Sequence, residues 1–191
     1  MAEYAQKNSF ELHGTAVITA RNIDAVTSVI KTLALHKIST NLQLVLGASG
    51  SDAFDTPQKI NNLKRLSNEL IKMKHGGYPI RESESYIKGF SDFLENRKAV
   101  VCLAGKAYIA VDSDGSLMAC QDIPASNISL LNSQTIDYRL KDLLSTIPAD
   151  CRCWWNCYHQ YAEWYSHPIK FLIVSFMQRL HSRLFYSNNS S

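Results

Sequence analysis

The chain has 191 residues, 46% of them hydrophobic and 19% charged, a make-up that suits a globular protein and excludes a disordered one. That length allows one good-sized core, or one and a half small domains. The formal net charge of +3 is slight and no basic block with interleaved aromatics occurs, so nucleic acid is not an expected partner.

Residues 1–14 read as the polar remnant of a helix or linker. Met1–Lys7 lacks the apolar stretch of a signal peptide, so a cytoplasmic location is expected. In a reducing cytosol, clustered thiols bind metal more often than they form disulfides. Ala16–Ala20 is a short, almost wholly apolar run with the character of a buried parallel strand. Asn22 and Asp24 then offer helix caps before Val26, Val29, Ile30 and Leu33, which share one helical face. Leu42–Leu46 is a second buried strand, ended by Gly47. Thr56 and Pro57 supply an N-cap and a first-turn proline for a helix carrying Ile60, Leu63, Leu66, Leu70 and Met73, which Gly76 and Gly77 stop. Strand, helix, strand, helix is an α/β pattern with parallel strands. A connecting helix follows over Ser83–Glu95, with Tyr86, Ile87, Phe90 and Leu94 inward, and a domain boundary falls near Arg97 and Lys98.

All five cysteines lie beyond that boundary. Cys102 and Cys120 read C-x12-G-x4-C around Gly115; Cys151, Cys153 and Cys157 read C-x-C-x3-C. Ala107–Val111 alternates, Asp114-Gly115 is a hairpin-turn signal, and Ser116–Cys120 runs back, returning Cys120 towards Cys102. Asp112 and Asp114 are turn residues here, not an acid–base pair. Four converging thiolates suit a [4Fe-4S] cluster or a structural zinc ion. Cysteines that merely fill a core, or that form disulfides, do not predict such bunching.

Ile128–Leu131 adds a short strand, and Ile136–Leu144 a helix that Pro148 ends. Cys153–Tyr165 is rich in aromatics: Trp154, Trp155, Tyr158, Tyr161, Trp164 and Tyr165. A stacking platform for nucleobases is one reading; an apolar sheath that keeps water from a cluster is the one expected. His159 is an alternative ligand, but a packed or solvated side chain is expected. The tail, Pro168–Phe185, reads as an amphipathic helix with Arg179 and Arg183 beside Phe171, Ile173 and Leu180. Of membrane-surface contact and packing on the body, packing is expected. Phe171–Val174 is far too short to span a bilayer.

The spacing C-x12-G-x4-C, the text Cys102–Gly105 and Asp112–Gly115, and the closing Cys153–Cys157 group together resemble the auxiliary-cluster domain of radical S-adenosylmethionine (radical SAM) enzymes. That domain is called twitch in its short form and SPASM in its longer one. The resemblance covers about residues 10–166, and five cysteines suit the single-cluster twitch form. It implies an α/β fold: the last two βα units of a partial (β/α)6 radical SAM barrel over residues 1–97, then a small α+β twitch/SPASM-like domain with a β-hairpin over 98–166. Residues 167–191 form a C-terminal amphipathic helix and tail. Asn22 matches the asparagine that often ends the fifth barrel strand. Metal ligands implied are Cys102 and Cys120 with two of Cys151, Cys153 and Cys157; Cys153 and Cys157 match the family's closing pair and Cys151 is the alternate.

The sequence contains no C-x3-C-x2-C loop for the cluster that binds S-adenosylmethionine, and about four of the six βα units are missing. The resemblance therefore implies radical chemistry only in a full-length parent, on a peptide or small-molecule substrate, or with a second chain supplying the missing barrel half. Two parallel strands alone would also leave open edges and an apolar face. The competing expectation is a non-catalytic interaction module stapled by zinc on four cysteines.

Overall fold

The computed structural model describes residues 7, 8, 10–45, 47, 49–96, 103–106, 108–120, 123, 126, 128–132, 147, 153, 154, 156–169, 172, 173 and 176, with backbone alone at 96, 132, 156–158, 160 and 161. The chain divides into two units, one made of Met1–Lys98 with Trp154–Ser191, the other of Ala99–Cys153. The segment expected as one domain, 98–166, is thus divided at Trp154.

In the first unit β1 (His13–Ile18) pairs in parallel with β2 (Ser39–Leu44), in a register that sets His13 against Ser39 and Ile18 against Leu44. Ile80 adds a parallel bridge beside Thr40, through Thr40 N–H to Pro79 O at 2.8 Å and Arg81 N–H to Thr40 O at 3.0 Å. Both strands start and stop earlier than their apolar runs suggest. At the far end Asn22 clasps the chain: its Oδ1 accepts from Thr19 N–H at 2.9 Å and its Nδ2 donates to Val17 O at 2.8 Å. That side chain closes the strand and does not cap a helix.

Burial alternates along both strands. Ala16, Ile18, Thr40, Leu42 and Leu44 are buried; His13, Thr15, Val17, Ser39, Asn41 and Gln43 occupy the opposite, wetter face. Fully buried parallel strands would read as continuous apolar runs, whereas this sheet is covered on one side. The open face is mainly polar, which corrects the expectation of an exposed apolar one.

Helix α1 (Val26–Leu35) buries Val26, Ile30 and Ala34, and leaves Val29 in water. It ends with Lys37 at φ 56°, where Lys37 N–H reaches Ala34 O at 2.9 Å and Ile38 N–H reaches Leu33 O at 2.9 Å. Helix α2 (Pro57–His75) starts at Thr56, whose hydroxyl accepts from Lys59 N–H at 3.3 Å, and it buries Leu63, Leu66, Leu70 and Met73. Helix α3 (Glu84–Asn96) buries Tyr86, Ile87, Phe90 and Phe93, with Leu94 only half-buried.

A buried cation closes the turn between α2 and the Ile80 bridge. Lys74 Nζ donates to Ile80 O at 2.6 Å, and burial pushes its pKa down to about 8 against the opposing pull of Glu82 and Glu84. Glu82 itself is fully buried. Of the expected tail helix, Ile169, Leu172, Ile173 and Phe176 are helical and exposed, whereas Phe171, Arg179, Leu180 and Arg183 lie outside the described residues. Among the described residues no helix is long and apolar enough to cross a membrane.

Candidate metal centre

In the second unit the sequence dictates a tight hairpin. β3 (Ala110–Val111) runs antiparallel to β4 (Leu117–Met118), with Ala110 opposite Met118 and Val111 opposite Leu117. Gly115 N–H donates to Asp112 O at 2.9 Å, Asp112 N–H donates to Ser116 O at 2.9 Å, and Gly115 sits at φ 84°. A type I turn followed by a left-handed residue is a common three-residue hairpin connection, and glycine reaches that conformation without steric cost. A Cβ here would also stand 2.9 Å from Leu131 Cγ. Both aspartates serve the turn. Asp112 Oδ1 accepts from Ser113 N–H at 2.7 Å and Asp114 Oδ1 from Ser116 N–H at 2.8 Å. The bonds from Ser116 hold the Asp114 carboxyl below its usual range.

The far edge of β4 is also bonded. Leu117 N–H reaches Ile128 O at 2.7 Å, Ser126 N–H reaches Leu117 O at 2.9 Å, and Leu130 N–H reaches Gly115 O at 2.9 Å. The short strand expected over Ile128–Leu131 is here one bridge, Ser116 to Ser129, running into a 3-10 turn over Leu130–Asn132. Leu117, Ala119 and Ile128 form a small core, with Ile147 against it.

Cys120 leaves this hairpin one residue after the buried Ala119. It is only 4% exposed and forms no disulfide. Cys153 is half-buried and likewise not disulfide-bonded. Cys102 and Cys151 lie outside the described residues, as does the helix expected over Ile136–Leu144. The backbone of Cys157 lies in α4 (Asn156–Ser166), and its side chain is outside the described set. Among the described residues no three His, Cys, Asp or Glu side chains converge as a metal site would require. What is described fits a soft metal or cluster in one respect: a thiol carried by a rigid support and withdrawn from water beside apolar residues.

The residue after Cys153 is firmly held within the first unit. The Trp154 indole lies parallel to the Tyr86 ring, 5.9 Å between centroids at 9°. Trp154 Nε1 donates to Tyr86 O and Tyr86 Oη donates to Trp154 O, each at 3.2 Å. The indole fits because α3 has a glycine beneath it: a Cβ on Gly89 would stand 2.1 Å from Trp154 Cζ2. Sequence reading passed over Gly89. The usable signal was a glycine inside an apolar helix face, which marks a close approach.

His159 completes this aromatic cluster, 4.9 Å from the Trp154 ring and 5.3 Å from that of Tyr86. Burial pushes its pKa down, opposed by Glu163, whose carboxylate is 3.8 Å from Nδ1 and accepts from Ser85 Oγ. It is a packed side chain. Trp154 is equally buried, so its face is no platform for a base.

Neither family models, curated proteins nor solved structures contain a match to this chain.

Proposed function

We propose that the chain is the C-terminal portion of a radical SAM enzyme and that its cysteines hold an auxiliary [4Fe-4S] cluster. The ligands are Cys102 and Cys120 with two of Cys151, Cys153 and Cys157, the last two being the preferred pair. The observation that carries this reading is the C-x12-G-x4-C framework, whose fixed glycine occupies a turn that calls for a positive φ and delivers a buried thiol. Parallel β1 and β2 with their helices support the barrel half of the reading. Bound there, such a cluster supplies one-electron transfer, or an open iron site if only three thiolates hold it. The residues around Cys120 exclude water from its thiol. The substrate class is a peptide or small metabolite, the compartment the reducing cytosol. S-adenosylmethionine belongs to a full-length parent or to a chain supplying the missing barrel half.

Anaerobic reconstitution tests the reading. About four irons and four sulfides per chain, with absorbance near 400 nm, are expected. A colourless protein holding one zinc would overturn it in favour of a zinc-stapled interaction module. Serine replacement of Cys151, Cys153 and Cys157 in turn then identifies the ligands, since the spare thiol can be lost with the iron content unchanged.

A further inference from the structure

Three arginines fall among the described residues, and one of them has no counter-ion. Arg21 stands 3.1 Å from the Asp52 carboxylate and Arg65 3.9 Å from that of Asp24, whereas Arg81 forms no ion pair with a described residue. It is nonetheless held in place. Ile80 is buried beside Thr40, so the side chain that follows falls on the opposite, open face of the sheet. From there Arg81 reaches across β2 to β1. Its Nη1 donates towards the His13 ring, 2.7 Å from Nε2 and 2.9 Å from Nδ1. Ser39, opposite His13 in the ladder, brings its hydroxyl within 2.5 Å of Nδ1.

An imidazole and a hydroxyl carry no negative charge, so the guanidinium is oriented without being neutralised. Among the described residues, Glu11 alone places a carboxylate against the cluster, 3.7 Å from His13 Nε2. That side chain is 90% exposed, and so wet a pairing contributes little. Two residues further along the same face Thr15 and Asn41 stand opposite each other, and their side chains bond to no described residue.

We propose that Arg81, His13 and Ser39, with Thr15 and Asn41 beside them, form a binding site for a phosphate group. A tetrahedral dianion offers acceptors in several directions, which suits N–H and O–H donors arriving from three neighbouring segments. The Arg81 fork takes two of its oxygens, and the imidazole and the hydroxyls donate to the rest. A planar carboxylate would use the fork and leave the other donors idle. No cysteine takes part, so the site is independent of the cluster reading.

Titration of the full chain with inorganic phosphate, followed by amide and arginine side-chain NMR shifts at constant ionic strength, tests it. Saturable shifts at His13, Ser39 and Arg81 are expected, half-complete on the order of 1 mM, and chloride should leave them unmoved. Arg81→Gln should weaken binding about tenfold or more, and Ser39→Ala about threefold. Glu11→Gln should tighten it about twofold, because it removes an opposing charge. Glycerol 2-phosphate binding more tightly than the free ion assigns the site to a phosphate ester, and equal binding assigns it to the ion itself. Shifts that do not saturate, equal affinity for acetate, or unchanged affinity in a folded Arg81→Gln chain overturns the proposal. Should Arg81→Gln unfold the chain, a Glu11→Gln variant that binds no more tightly overturns it equally.

Discussion

Among the described residues, the two units differ in what they bury. The first has Ile18, Ile30, Leu42, Leu44, Leu63, Leu70, Tyr86, Ile87 and Phe90 wholly out of water. In the second, the described core is Leu117, Ala119 and Ile128, with Ala104 and Ile123 nearby. Its span, 99–153, is about 55 residues, a size at which burial alone is marginal and a staple adds much. The first unit can owe its order to its core, whereas the described part of the second is a short hairpin with a small core and a buried thiol. All the cysteines but Cys157 fall in the second unit.

The largest expected effect breaks the second unit alone. On either metal reading Cys120→Ala removes a ligand; a structural zinc site is worth about 10–16 kcal/mol in apparent terms, and a staple of that order matches or exceeds a small domain's whole stability. Hydrogen exchange should then show lost protection over Leu103–Asn132, with β1 to α3 unchanged. Protection retained in both halves would detach the thiol from stability.

Next comes Lys74→Met, which leaves the Ile80 carbonyl without its donor and should cost the first unit about 1–3 kcal/mol. Urea unfolding checks this. A pH signature accompanies it. With the folded pKa lowered to about 8 from 10.5, the unfolded chain binds more protons between those values, so wild-type stability should rise with pH across that window. That part of the rise should be absent in Lys74→Met.

Gly89→Ala is smaller. One added carbon collides with the Trp154 ring, and overpacking of this kind costs about 1–3 kcal/mol, exceeding the roughly 1 kcal/mol gained by removing a helix glycine. A red-shifted tryptophan emission with a lower urea midpoint is expected. The smallest change is favourable: Lys37→Gly relieves a positive φ at the end of α1 and should add up to about 1 kcal/mol to the first unit, read from the same unfolding curves.

Local chemistry was legible in the sequence, and distant chemistry was not. Thr56 and Pro57 at the start of α2, and the Asp112–Gly115 turn, fold as their residue types require, because each acts on neighbours within a few positions. Strand limits were displaced because apolar runs mark burial, whereas the ladder of β1 and β2 begins in polar residues, His13 and Ser39. The docking of Trp154 on Gly89 and Tyr86, 68 positions upstream in the case of Tyr86, leaves no trace in any short window. Nor does the burial of Glu82 near Lys74. Of the candidate site, the burial of Cys120 follows from the hairpin that carries it.

The wetter face of the β1–β2 sheet has a last consequence. Hydroxyl and amide side chains at Thr15, Ser39, Asn41 and Gln43 alternate there with a single branched aliphatic, Val17. Donors and acceptors in such a row hold on to solvent. Any lid laid over them must therefore bring matching polar groups or trap a water layer beneath it, so the space so enclosed would suit a hydrophilic guest and reject a greasy one.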